Sequence, residues 1–190
     1  MEAQSSLVLA SASPRRREIL EALGFEFEVL PVSVDEEKVL WDDPAHGARL
    51  LAELKAVEAR RVRPRKTIIA ADTVVVCMGR RLGKPADAAG ACEMLEILSN
   101  REHEVITGIA LSAPPNRCSI EVERTKVQFR ELERGEIDRY IETNEPFDKA
   151  GAYAIQGYAS IFINKIEGCY FNVVGLPVAR LFKMLKLLER

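Results

Sequence analysis

Hydrophobic and polar positions change period several times along this chain. Residues 6–10, SLVLA, read as a short buried strand. Ser13 then stands where a helix cap stands, Pro14 occupies a favoured first helical position, and Ile19, Leu20 and Leu23 supply an apolar face that Gly24 ends. FEFEVL, residues 25–30, alternates with period two, the pattern of a strand with one wet face. Asp43-Pro44 repeats the cap-then-proline signal, and Leu50, Leu51, Leu54 and Val57 form an apolar helical stripe between about Arg49 and Arg60.

Residues 67–77, TIIAADTVVVC, read as a buried strand, and CMGRRLGKP after it as a turn or hairpin. Asp87 caps a predicted helix holding Cys92, Met94, Leu95 and Leu98. Strands follow near 103–111 and 119–130, separated by the loop SAPPNR. A short helix near 133–142 carries Ile137, Tyr140 and Ile141, a strand is expected near 159–166, and a closing helix begins after Pro177. Strands and helices mix throughout, without repeats or long linkers, so the class is α/β with a mixed sheet.

Composition narrows this further. The chain has 190 residues, 47% hydrophobic and 29% charged, enough for the core of one domain. A formal net charge of -2 argues against a general nucleic-acid binder. Four scattered cysteines and two histidines do not make a zinc pattern, and isolated thiols fit a reducing cytoplasm. The polar N-terminus lacks a signal peptide's features, and the most apolar run is broken by Asp72 and too short to span a bilayer, so a cytoplasmic protein without membrane contact is expected.

Several polar residues interrupt these patterns. Ser11, Ser13, Arg15, Arg16 and Arg17 gather at a strand-to-helix junction, where unpaired N–H groups and the helix dipole attract anions. Taken alone, the same run reads as a cap followed by a solvated basic face. Asp72 lies inside an apolar strand, which costs several kcal/mol without a partner. It reads as a hydrogen-bonded strand-end residue, or as a metal ligand or proton acceptor at the carboxyl end of its strand. Asp35, Glu36 and Glu37 follow the second strand as a charged loop. Lys55 falls within an apolar stripe, either snorkelling or aimed into a cleft, and Lys84 sits on a stiff turn before Pro85. Glu145, Asp148 and Lys149 form a candidate salt-bridge network. Gln156-Gly157 brings an amide and bare backbone together, and an amide suits the imide edge of a pyrimidine. An anion cradle, carboxylates, two lysines and a base-reading amide together fit nucleoside triphosphate hydrolysis.

Six runs, LASASPRR, AADTVVV, LGKP, LSNREHEVITG, YIETNEPFDKAGAYAIQG and NVVGLP, occur in the order of the Maf family, and the chain resembles that family over essentially its whole length. These are nucleoside triphosphate pyrophosphatases, also called septum formation proteins. The resemblance implies one domain over residues 1–190 with an elongated fold like that of the inosine triphosphatases (Ham1 type), a central mixed sheet and a cleft between two lobes. It implies a homodimeric enzyme that uses Mg or Mn to cleave between the α and β phosphates. Asp72 matches the family's catalytic aspartate, as base, metal ligand or both. Glu36, Lys55 and Lys84 match its supporting carboxylate and lysines, Glu36 sharing the metal. Ser11, Ser13, Arg15 and Arg16 match its phosphate-binding loop. Arg15, Thr73 and Gln156 resemble the dTTP/UTP branch. The alternatives are a 7-methyl-GTP pyrophosphatase and a nucleotide-binding regulator of septum formation that needs no catalysis. Asn100 and Asn144 stand where the family has glycine, a substitution expected at positive φ, and Ala154 adds a methyl beside the base-reading run.

Overall fold

The computed structural model describes residues 7–35, 39 and 43–188. In chain order the elements are β1 (Leu7–Leu9), α1 (Pro14–Ala22), β2 (Phe27–Val29), α2 (Pro44–Val62), β3 (Thr67–Cys77), β4 (Arg80–Leu82) and α3 (Ala88–Leu98), then β5 (Glu102–Ala113), β6 (Arg117–Phe129), α4 (Arg134–Glu142), β7 (Ile163–Glu167), α5 (Tyr170–Val174) and α6 (Val178–Leu188). The strands form a seven-stranded sheet in the order β2-β1-β3-β5-β6-β7, with β4 paired to β3. β1 runs parallel to β2 and β3, whereas β3–β4 and β6–β7 are antiparallel, so the sheet is mixed as the alternation of elements implies.

Local chemistry explains the boundaries. Asp43 caps α2 by accepting from the N–H groups of Ala45 at 3.2 Å and His46 at 3.3 Å, with Pro44 next in line. Asp87 caps α3 through the Gly90 N–H at 2.8 Å. Met78 and Gly79, both at positive φ (52° and 74°), make the tight turn between β3 and β4, the geometry that suits a twisted two-residue hairpin. Asn100 and Asn144 adopt φ of 55° and 60°, so the two asparagines do occupy left-handed positions.

Helix α2 departs from the expected stripe. It buries Gly47, Ala48, Leu51, Ala52, Ala56 and Ala59, while Val57 is 44% exposed. Its small-residue face lets the helix backbone lie against β5. A Cβ on Gly108 would sit 2.2 Å from the Ala48 carbonyl oxygen. Close backbone approach, not the bulk of the leucines, therefore sets which face turns inward. Strand β7 is shorter than expected because Tyr158–Phe162 forms a 3-10 turn that buries Ala159 and Phe162. Two further 3-10 turns (Glu145–Asp148 and Ala150–Ala152) and α5 fall in the stretch without a clear period.

The chain divides into two compact units: residues 1–72, 107–123 and 175–190, and residues 73–106 and 124–174. The first unit has a small-residue core of Val8, Ala10, Ala52, Ala56, Ile68 and Ala110 among others. The second is more aromatic, with Phe129, Tyr140, Tyr153 and Phe162 packed among Leu95, Leu98 and Val127. No described helix is long and apolar enough to cross a membrane.

Candidate active site

The first unit assembles most of the candidate residues. Asp72 lies inside β3, not at its end. Parallel pairing with β1 reaches only Ile69, whose carbonyl accepts from the Ala10 N–H at 2.8 Å. Asp72 therefore sits just past the carboxyl edge of the parallel segment, where α/β sheets open towards ligands. The strand then continues into its hairpin with β4. Asp72 is 6% exposed. Its Oδ1 accepts from Lys55 Nζ at 2.5 Å, and the lysine side chain is itself only 14% exposed. The ammonium offsets the cost of burying the carboxylate. Lys55 reaches it from α2, between the buried Ala52 and Ala56. Of the two readings of Lys55, the structure supports the one in which it is aimed inward.

The β1–α1 junction is built around Ser11 and Arg16. Ser11 is 7% exposed, and its Oγ accepts from the Ser13 N–H at 3.2 Å and from an Arg16 guanidinium nitrogen at 3.2 Å. Ser13 holds the cap position of α1 in extended backbone, but its hydroxyl makes no cap hydrogen bond. The expected cap is thus replaced by a Ser11-centred turn, which leaves the Ser13 hydroxyl for another acceptor or donor. Arg16 also donates to the carbonyls of Ala71 and Gly175, both at 2.8 Å. It ties the junction to the residue before Asp72 and to the chain before α6. Arg15 beside it is half-buried, and Arg17 pairs with Glu21 on the exposed face of α1 at 3.3 Å. Sequence reading grouped these arginines. It could not see that Arg16 would be held by residues 55 and 159 positions away.

The second unit holds Thr73, half-buried on β3, and exposed Lys84 and Gln156. Gln156 follows the buried run 151–155, in which Gly151 donates its N–H to the Gly83 carbonyl at 2.9 Å, immediately before Lys84. Glu36, and with it the second expected carboxylate, lies outside the described residues. Among the described residues no three His, Cys, Asp or Glu side chains converge. Asp72 by itself fits the way Mg is usually held at phosphate sites, by one or two carboxylates with substrate oxygens completing the shell.

Sequence reasoning missed Glu145's partners. The Lys149–Asp148 pair of the expected network forms, but the Glu145 carboxylate joins Tyr140 Oη at 2.9 Å and the Tyr158 N–H at 3.0 Å. Burial pushes the Tyr140 phenol up from its ordinary range, and the Glu145 charge adds to this, so Tyr140 stays a donor to the carboxylate.

A solved structure of the Staphylococcus aureus Ham1 protein shares this fold, with a TM-score of 0.56 at 16% identity over 95% of this chain and 97% of that one. The model of the family described as "Maf-like protein" matches residues 6–188, and the chain belongs to that family. A Carboxydothermus hydrogenoformans protein named dTTP/UTP pyrophosphatase is 51% identical over 95% of this chain and 97% of its own length. A Bacillus pumilus protein of the same name is 44% identical over 96% of each.

Proposed function

We infer that this chain hydrolyses dTTP and UTP to the nucleoside monophosphate and pyrophosphate. The observation that carries the reading is the buried Asp72 carboxylate held by Lys55 at 2.5 Å, beside a serine- and arginine-built helix start. Relatives of nearly equal length named for that reaction support it.

In this mechanism Ser11, Ser13 and Arg15 cradle the phosphates at the N-terminal end of α1, and Arg16 serves the cradle through Ser11. Lys84 adds positive charge for the phosphates. Asp72 takes a proton from the attacking water as oxygen bonds to the α-phosphorus and the bond to the bridging oxygen breaks, releasing pyrophosphate. Lys55 fixes the carboxylate in place through that transfer. A divalent ion, Mg or Mn, would be held by Asp72 with Glu36, and when bound it supplies charge stabilisation for the phosphoryl group. Gln156 offers both a donor and an acceptor to the imide edge of thymine or uracil, with Arg15 and Thr73 as further selecting residues. The molecule acts as a homodimer in the cytoplasm.

Incubation with Mg, and separately with Mn, against dTTP, UTP, CTP, GTP and 7-methyl-GTP tests this. Monophosphate plus pyrophosphate from dTTP and UTP is expected. Preference for 7-methyl-GTP would overturn the roles of Arg15, Thr73 and Gln156. Nucleotide bound without turnover would favour a regulator over an enzyme.

A further inference from the structure

Glu145 lies in a tight turn, yet its carboxylate is spent on a different segment. Oε2 accepts from the Tyr158 N–H at 3.0 Å, and Oε1 from Tyr140 Oη at 2.9 Å. The Glu145 main chain is fixed as well. Its N–H donates to Thr143 Oγ1 at 3.2 Å and its carbonyl accepts from Lys149 Nζ at 2.7 Å. Tyr158 stacks on Tyr140, with centroids 5.8 Å apart and planes 19° from parallel.

Gly157 makes this arrangement possible. A Cβ at residue 157 would meet both carboxylate oxygens of Glu145 at 2.2 Å. The backbone there, at φ -106°, is open to any L residue. The glycine is therefore required by the carboxylate lying against it, not by its own conformation. The residue before it is Gln156, exposed at the end of the buried run 151–155. Packing on residue 157 and a bond to the amide of residue 158 fix the main chain from which the Gln156 side chain departs.

We propose that Glu145 is a positioning residue for Gln156, holding it through Gly157 and Tyr158 so that it selects thymine or uracil over cytosine. This rests on the reading of Gln156 as the group that meets the base. Cytosine presents an amino group where the imide bases present a carbonyl, so a freely rotating amide accepts either edge and a fixed one does not.

The test measures kcat and KM for dTTP and CTP with Mg in the full chain, for Gln156→Ala, Glu145→Ala, Gly157→Ala and the Glu145→Ala/Gly157→Ala double variant. Gly157→Ala keeps every charge and meets the carboxylate end of the Glu145 side chain first, so it remains informative if Glu145→Ala folds poorly. The ratio of kcat/KM for dTTP over CTP is expected to fall about tenfold in each single variant, the scale of one good hydrogen bond. KM for dTTP carries the change, and the double variant falls no further than either single one. If Gln156→Ala lowers the ratio but Glu145→Ala and Gly157→Ala do not, the positioning role fails and Gln156 keeps its own. If Gln156→Ala leaves the ratio unchanged, the base-reading role fails and takes this proposal with it. An equal loss of kcat on both substrates in the Glu145 and Gly157 variants would make the contact merely structural and overturn the proposal.

Discussion

The Lys55–Asp72 pair joins two residues that each look misplaced in their own segment. A lysine stands within a helix's inward face, and an aspartate within a run of β-branched residues. That is why both were legible in the sequence: an ionisable group amid apolar periodicity costs free energy unless something answers it. In the proposed reaction, Asp72→Asn removes the proton acceptor while keeping an oxygen for the lysine. Turnover of dTTP is expected to fall by about 10²–10⁴, with the folded state retained. Lys55→Met leaves the carboxylate buried without its ammonium and is expected to cost about 3–5 kcal/mol of stability as well as activity. Product assays and urea denaturation midpoints separate the two effects. Wild-type turnover in Asp72→Asn would remove Asp72 from the chemistry. What the sequence did not disclose at this scale is partnership over distance. Arg16 looked like a phosphate ligand because it stands among serines, and its bonds to the Ala71 and Gly175 carbonyls come only with the fold.

At the scale of elements, β3 has the predicted bounds of 67–77, because a stretch rich in β-branched residues between Pro64 and Met78-Gly79 admits little else. Helix α4 was equally plain, and its Glu133–Glu136 capping box anchors its start. Helix α2 turns the expected Leu51 inward but leaves Val57 exposed and fills the rest of its inner face with small residues, since periodicity weighs leucine above alanine while the Gly108 contact favours the smaller face. The 3-10 turns of 145–162 have no repeating signal to find. Gly108→Ala tests the seating of α2. The new methyl would meet backbone atoms of Ala48 at 2.2 and 2.5 Å and the Arg49 nitrogen at 2.8 Å, which no rotamer change relieves. A loss of about 1–3 kcal/mol is expected, together with reduced kcat, because the displaced helix carries Lys55. Gly135→Ala on the exposed face of α4, where the nearest atom is 3.9 Å away, is expected instead to add about 0.5–1 kcal/mol. Equal stability of both variants would mean that α2 does not depend on the bare backbone at residue 108.

At the scale of the whole molecule, the aromatic unit carries two groups that make stability depend on pH in the acid range. His103, on β5, is 2% exposed and edge-on to Phe129 and Tyr153, with ring centroids 5.0 and 5.4 Å away. Its Nε2 lies 2.8 Å from Tyr153 Oη. Burial drives its pKa down from 6.5 to about 4, the largest of the influences on it. The folded chain thus keeps His103 neutral where the unfolded chain has already bound a proton. Above pH 6.5 neither state is charged at this residue and it has no effect. As pH falls from 6.5 towards 4 the unfolded state gains the proton first, so stability declines, and below 4 the full penalty is in place. Between pH 7 and pH 4.5 this single group is expected to cost roughly 2–3 kcal/mol. Glu136 in the same unit acts lower down. Its bond from Arg130 holds it near 2, so the stability it contributes is present above its ordinary 4.5 and is lost only as pH falls from there towards 2. Urea denaturation of wild type and His103→Gln at pH 7 and pH 4.5 separates the two groups, because glutamine keeps a polar group for Tyr153 without titrating. The variant is expected to lose that much less stability across the interval, and an equal loss in both proteins would mean that His103 already takes up its proton in the folded state.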